Sequence, residues 1–327
     1  MNEKAPYEFE VRERCPACDG SRLVTLFRSA FSDPPIAKFV SSYYKIDPDI
    51  LAAAPYQLDQ CAQCGLVFQK YVGGPELLSD LYTHWVVEPT DPELEIDTYR
   101  EDIRAIRLSR DAHEIMAASA YLGVPLNELR TLDYGMGWAL WARIAAELGC
   151  QSYGSDLSRP RMAFAARHGV STLEDEELGS SRFHFINTEQ VFEHVPHPKR
   201  LLERLIHALR PGGVVKISVP SADTAAAVVQ SLSDGTYRGD YPSIIPVQPL
   251  EHINSYRRET IVRMAEAHRL AVVRPPYGAR FAFLRHGGTL SFSKPKKAAK
   301  ELVRPWYQFR NPSNIYMWLQ KAASPQP

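Results

Sequence analysis

The chain has 327 residues, 45% hydrophobic and 10% aromatic, enough to bury one large core or two smaller ones. Lysine plus arginine balances aspartate plus glutamate at 38 each, which excludes a net field drawing the protein to nucleic acid or an anionic membrane; either partner would need a local patch. No apolar run reaches the roughly eighteen residues of a membrane span, and Met1-Asn2-Glu3-Lys4 leads into no apolar signal segment, so a cytoplasmic protein is expected.

Residues 1–75 carry four of the five cysteines as two pairs, Cys15-Pro16-Ala17-Cys18 and Cys61-Ala62-Gln63-Cys64, the second followed by Gly65-Leu66-Val67-Phe68. A C-x-x-C turn points both thiolates at one tetrahedral ion, and two such turns complete a closed four-thiolate zinc site. The 42 intervening residues cost only modest loop entropy. Redox motifs are rarely duplicated in this way, so a zinc-ribbon module is expected, in a setting with little helical period. Cys150 stands alone before a strand and reads as a small buried hydrophobe.

Residues 76–125 form a helical connector. Its stretch from about 96 to 122 has Tyr99, Ile103, Ile106, Ile115 and Met116 as inward positions. Between them Arg100, Arg104, Arg107 and Arg110, interleaved with Glu101, Asp102, Asp111 and Glu114, read as a solvated face.

From residue 126 to 327 the pattern is strand, turn, helix, repeated. Strands are expected up to Asp133, over 152–154, 170–173, 183–187 and 214–219, and near 271–274 and 314–320. Helices are expected over 139–148, 160–168, 198–209 and 259–268. Residues 221–250 read as an irregular, Pro-rich insertion over the strand ends. Such alternation means an α/β, doubly wound, mostly parallel sheet with helices on both faces, whose ligands lie at the carboxyl ends of the strands.

The first strand runs into Asp133-Tyr134-Gly135-Met136-Gly137-Trp138-Ala139-Leu140. Gly135 and Gly137 permit a sharp turn and close ligand approach at a helix N-terminus. A dinucleotide loop needs a third glycine where Leu140 stands, and Asp133 would face the pyrophosphate charge. S-adenosylmethionine, with no phosphate and with ammonium and sulfonium charges, suits this turn. Asp156, nineteen residues after Gly137 in Ser155-Asp156-Leu157-Ser158, has the spacing of a carboxylate that accepts from a ribose diol. Glu174 and Asp175 sit where an adenine amino group would be met.

These motifs resemble the class I S-adenosylmethionine-dependent methyltransferases over about residues 129–275. The resemblance is carried by the glycine loop with Ala139 in the usual third-glycine place, by Asp156, by Glu189-Gln190-Val191-Phe192-Glu193-His194-Val195 and by Leu209-Arg210-Pro211-Gly212-Gly213. It implies a Rossmann-like seven-stranded sheet with the last strand antiparallel. The cofactor set expected is Asp133, Gly135, Gly137, Asp156, Leu157, Asp175 and Glu189. With the cysteine pairs and Leu81-Tyr82, the chain is similar to zinc-ribbon sugar C-methyltransferases acting on nucleotide-linked keto-sugars. Glu251 and His252 match the last two residues of their Tyr-His-Glu-His segment, and Pro249 and Leu250 stand in the first two places.

Methyl transfer from a sulfonium is an in-line displacement that requires the acceptor to be positioned and, for a hydroxyl or carbon acid, deprotonated. His252 is the first candidate base, oriented by Glu251 or another carboxylate, and His194 the second. Three readings are kept: methylation of a small-molecule acceptor such as a nucleotide-linked sugar; RNA methylation with the ribbon as reader and the tail Lys294 to Lys300 with Trp306, Tyr307 and Phe309 gripping the strand; and a non-catalytic cofactor-binding scaffold.

Overall fold

The computed structural model describes residues 7–86, 101–239, 241, 243–286, 303, 309 and 314–323, with the side chains of 101–109, 224, 285 and 286 outside that description. The N-terminal region contains β1 (Phe9–Val11), β2 (Leu23–Ser29), α1 (Ile36–Tyr43), β3 (Tyr56–Cys61), β4 (Val67–Gln69), β5 (Tyr71–Gly73) and α2 (Pro75–Asp80), then a π-helical turn, Leu81–Trp85. The long helix α3 (Glu101–Leu122) leads into β6 (Arg130–Tyr134), α4 (Leu140–Glu147), β7 (Gln151–Ser155), α5 (Arg159–Arg167), β8 (Ser171–Thr172), β9 (Phe183–Glu189), α6 (Pro198–Ala208) and β10 (Leu209–Pro220). Helix α7 (Ala225–Ser233), β11 (Asn254–Ser255), α8 (Arg258–Ala267), β12 (Leu270–Val273) and β13 (Asn314–Lys321) follow.

The main sheet has seven strands in the order β12-β13-β10-β9-β6-β7-β8. Strands β10, β9, β6, β7 and β8 pair in parallel, whereas β13 lies between β10 and β12 and is antiparallel to both. The order reverses between β6 and β9, which opens a crevice at their carboxyl ends. The core of β10, Val214 to Val219, is buried throughout, as a central strand covered on both faces must be. Helix α6 covers one face with Leu201, Leu202, Leu205 and Ala208, and begins with Pro198 in its first turn. No helix among the described residues is long and apolar enough to cross a membrane.

Two local expectations fail. The N-terminal region does contain a helix, α1, whose Ile36, Phe39 and Val40 repeat at i, i+3 and i+4 and are buried, a stripe too short to register as a period. The insertion also contains one, α7, with buried Ala225 and Leu232 at its two ends. A third correction concerns charge: Asp111 and Glu114, read as solvated, are 2% and 5% exposed. Lys216 on central β10 is the reason. Its ammonium is 1% exposed and lies 3.1 Å from Glu114 Oε1 and 2.7 Å from Glu189 Oε2. Glu114 is completed by Trp141 Nε1 and Tyr316 OH, at 2.8 and 2.5 Å. The inward face of α3 is therefore chosen by the counter-ion Lys216 needs. Tyr99, Arg100, Lys294 to Lys300, Trp306 and Tyr307 lie outside the described residues.

The two ends of the chain are joined. β2, β3 and β4 form an antiparallel sheet whose last strand is β11, so residues just after the insertion complete the N-terminal sheet. Cys15, Cys61 and Cys64 share one core cluster with Phe192, Ile217 and Tyr256. At the seam Arg12, 5% exposed, donates from Nε to the Gln69 carbonyl at 2.9 Å, from Nη2 to that of Ile253 at 2.7 Å, and from Nη1 to Asn254 Oδ1 at 2.8 Å. Replacing it leaves buried acceptors unpaired. Arg12→Ala is expected to lower the unfolding free energy in urea by about 3 kcal/mol or more, with Arg12→Lys recovering less than half because an ammonium cannot fork. A loss below about 1 kcal/mol would remove this seam as a determinant.

Candidate functional site at the carboxyl ends of the strands

The glycine turn is held by its neighbour strand: the amides of Gly135 and Met136 both donate to the Ser155 carbonyl, at 2.8 and 3.1 Å. Gly135 has φ +67°, and a Cβ there would lie 2.6 Å from Val191 Cγ2, so both backbone and packing require glycine. Gly137, at φ +55°, has open space where its Cβ would be. Ala139 is itself left-handed, φ +57°, immediately before α4.

The expected cofactor residues surround this turn in different ways. Asp133 is 4% exposed: its Oδ1 accepts from Asn187 Nδ2 at 2.7 Å and its Oδ2 from the Ala142 amide at 3.3 Å, tying β6 to β9 and to the first turn of α4. Burial pushes its carboxyl up to about 7, against the pull of Asn187 and Lys216. Asp156 links the two loops, accepting from the Gly137 amide (Oδ2) and the Ser158 amide (Oδ1), each at 2.9 Å. Leu157 beside it is 95% exposed. Asp175 Oδ2 pairs with Arg204 at 2.6 Å, while its Oδ1 is buried without a hydrogen-bond partner among the described residues. Glu189 ends β9; burial would raise its carboxyl, but Lys216 and Arg110 hold it down to about 2.

Beside the turn, the segment after β9 and the end of the insertion bring His194 and His252 together, ring centroids 4.9 Å apart. His194 Nδ1 lies 3.0 Å from the Glu251 carbonyl and 3.3 Å from Tyr82 OH of the π-helical turn. His252 Nδ1 lies 2.5 Å from the Ile245 carbonyl, so this carbonyl orients His252 in place of the expected carboxylate. Glu251 points away instead: Tyr44 OH is 2.9 Å from its Oε2, Gln248 donates to the same oxygen, and burial pushes its carboxyl up to about 7. Burial also lowers both histidines, His194 to about 3, so their rings are neutral at pH 7. The turn bearing them is strapped to the N-terminal region through Gln69, whose Nε2 donates to the Gln248 carbonyl at 2.7 Å and whose Oε1 accepts from the Leu250 amide at 3.1 Å.

The four cysteines converge, with no disulfide between them. Cys15 and Cys64 sulfurs are 3.5 Å apart, those of Cys18 and Cys61 are 3.6 Å apart, and all four lie within 4.8 Å of one another. A tetrahedron with metal–sulfur bonds of about 2.3 Å has edges of about 3.8 Å, so the donor set fits such an ion. Gly20 makes room: a Cβ there would sit 3.2 Å from both Cys18 and Cys61 sulfurs. Thr260 Oγ1 donates to the Cys64 carbonyl at 2.8 Å and fixes the second turn on α8.

With this geometry in hand, comparison with known proteins is decisive for the carboxyl-terminal region: the family model "Methyltransferase domain" matches residues 99–274. The chain belongs to this methyltransferase family. A ubiquinone biosynthesis O-methyltransferase of Paraburkholderia xenovorans (strain LB400) is 27% identical over 209 residues, covering 58% of this chain and 82% of the relative. One of Idiomarina loihiensis is 30% identical over 102 residues, covering 27% of this chain and 41% of the relative. Among solved structures, an S-adenosylmethionine-dependent methyltransferase from Mesorhizobium loti is 17% identical with TM-score 0.38, covering 60% of this chain and 93% of that one. The plantazolicin methyltransferase BpumL with SAH is 13% identical with TM-score 0.46, covering 75% and 94%.

The residues of this methyltransferase fit its methyl donor, S-adenosylmethionine. A carboxylate offers about four acceptor positions, so Asp156 retains capacity for hydroxyl groups, and the orphan Oδ1 of Asp175 is an acceptor awaiting a donor. Three participants escaped sequence reasoning. Tyr44 and Gln69 lie in segments without motif character, and Glu193, quoted within the motif after the fourth sheet strand, is buried with both carboxylate oxygens unpartnered. Phe309, expected to stack on bases, is 5% exposed and packs on Tyr316 and Trp318.

Two measurements probe the turn. Gly135→Ala should cost about 2–4 kcal/mol of stability, combining left-handed strain with overpacking on Val191, and Gly137→Ala only about 1–2 kcal/mol from strain. Equal losses in urea unfolding would refute the packing role of Val191. For Asp133, the native carboxyl holds its proton more tightly than the unfolded one near 3.9, so native protein binds more protons between about pH 4 and pH 7. Wild type should therefore lose stability relative to Asp133→Asn as pH rises through that window, by at most about 4 kcal/mol, and the difference should level off above it. A flat difference curve would show that Asp133 is ionised at the site.

Proposed function

We propose that this methyltransferase methylates a small-molecule acceptor, a nucleotide-linked sugar or related metabolite, whose reacting group lies against His194 and His252. The observation that carries this reading is the convergence of Tyr82, His194 and His252, with the Glu251 carbonyl against His194, on a turn whose Val191 packs on Gly135. S-adenosylmethionine supplies a methyl group on a positively charged sulfur. The chain's own task is to hold the acceptor in line and offer an unprotonated ring nitrogen at its reacting group, which the desolvated, neutral histidines do at pH 7. The names of the O-methyltransferase relatives support methyl transfer to a small molecule.

In the same reading Cys15, Cys18, Cys61 and Cys64 hold a structural zinc ion. Four thiolates leave no coordination position for water, so the ion acts on the fold and not on the methyl group. Its role is to fix the wall from which Gln69 and Tyr44 strap the turn bearing His252.

The test is transfer of labelled methyl from S-adenosylmethionine to nucleotide-linked sugars, to phenolic metabolites and to total RNA. Label is expected in the sugar set, and label confined to RNA would overturn the proposal. With the active acceptor identified, His252→Ala should lower kcat about 10²- to 10⁴-fold while the Kd for S-adenosylmethionine stays unchanged. Wild-type kcat in that variant would remove His252 from the acceptor site.

A further inference from the structure

Glu193 sits immediately before His194, at the turn that follows the fourth sheet strand, and neither the glycine turn nor the cysteine cluster uses it. One donor atom from each of Glu193, His194 and His252 lies within 4.8 Å of the others. Each ring has a backbone carbonyl against its Nδ1, which favours the tautomer with the proton on that nitrogen. A carbonyl oxygen can only accept, so in the tautomer where Nδ1 of His194 donates to Glu251 and Nδ1 of His252 donates to Ile245, each ring's lone pair is on Nε2. An imidazole anchored through one nitrogen to a backbone carbonyl is the usual outer arrangement around a metal-ligating histidine. The third donor supplies an independent observation. Glu193 is 1% exposed and both its carboxylate oxygens are buried with no hydrogen-bond partner, an arrangement that is costly for an ionised carboxylate unless a cation completes it.

We propose that Glu193, His194 and His252 hold a divalent transition-metal cation, separate from the ion of the four cysteines, with coordination positions left open to an oxygen of the acceptor. Two imidazoles and one carboxylate select a borderline cation of the zinc class over calcium or magnesium, which prefer all-oxygen sites. Three protein ligands, unlike the four of the cysteine cluster, leave room for a further ligand.

The inference rests on the reading that the acceptor lies at the histidine pair, and it gives the ring nitrogens a definite use. The cation polarises an acceptor hydroxyl, whose proton leaves to solvent. The oxygen's electron pair then forms the new bond to the methyl carbon as the carbon–sulfur bond breaks, and that bond's pair returns to sulfur as a neutral thioether. His252 thereby acts by positioning the cation.

The experiment counts metal, not product. Wild-type protein, equilibrated by dialysis against micromolar Zn²⁺, is expected to hold two zinc ions per chain by mass spectrometry. Glu193→Gln with His252→Asn is expected to hold one, and each single variant to bind the second ion at least tenfold more weakly. One zinc per chain in wild type, a measurement independent of whether the variants fold, overturns the inference, as does a second ion that the double variant keeps. Cobalt substitution identifies the site: the thiolate charge-transfer absorption of the cysteine cluster should persist in the double variant, and only the d–d bands of the second site should vanish. Wild type that methylates nucleotide-linked sugars with one zinc per chain overturns this inference and leaves the acceptor reading standing. Two zinc ions with no such transfer does the reverse.

Discussion

Arg12 is the interaction on which the seam between the N-terminal region and the histidine-bearing turns depends. Its guanidinium is buried against backbone carbonyls and one amide oxygen, with Phe68 5.0 Å below it, and among the described residues no carboxylate is a hydrogen-bond acceptor of it. Burial lowers its pKa to about 10, which still leaves it charged at neutral pH. A planar cation with five donors is what three chain segments need when Gln69, Pro196 and Ile253 each turn a carbonyl toward the same interior point. Asn254 extends the clamp: its Oδ1 accepts from Arg12 while its Nδ2 donates to the carbonyls of Phe192 and Val195, at 3.0 and 2.7 Å. From Arg12 through Asn254 to the turn carrying Glu193 and His194 there is an unbroken hydrogen-bonded path.

A second buried cation does comparable work for the donor side. Lys216 stands on β10 between Glu114 of α3 and Glu189 at the end of β9, and Arg110 reaches the far oxygen of Glu189 at 3.6 Å. Desolvating so many charges is unfavourable by itself, and their arrangement is specific because any sliding of α3 along the sheet separates a charge from its partner. The consequence is a fixed end to β9, where the strand order reverses and the methyl donor's loop is built.

The sheet was legible because its strands and the helices packed on it, α7 apart, keep their own period and are punctuated by Gly, Pro or a capping residue. The expected strand over 183–187 is β9 and the expected helix over 198–209 is α6, each shifted by at most two residues. That Asp156 meets the glycine turn and that the cysteine pairs converge was legible for a different reason: each depends on particular residue types at short spacing. What stayed hidden depends on long-range partners. Glu114 and Asp111 look like solvated charges until Lys216 is placed opposite them, and Tyr44 and Gln69 acquire a role only when residues 245–252 fold back across two hundred residues of sequence. The tautomers of His194 and His252 were hidden likewise, since the carbonyls that set them come from a turn without any motif.

Donor loop and acceptor groups are not independent pieces. Val191 packs where a Cβ on Gly135 would be, and three residues later the same turn delivers His194, whose amide donates to the Val191 carbonyl at 3.0 Å. Val191 is β-branched and 9% exposed, so it has little rotamer freedom with which to absorb a shift of the glycine turn. A displacement of the glycine turn therefore carries the 191–194 turn with it, and with that turn the imidazole of His194. Under the proposed reading this coupling would serve an in-line transfer, because one short stretch of backbone joins the glycine turn to His194. The adjacency of a glycine turn to an acid-histidine pair in the segment after the fourth sheet strand then has a physical cause: Val191 packs on the one, and its turn carries the other.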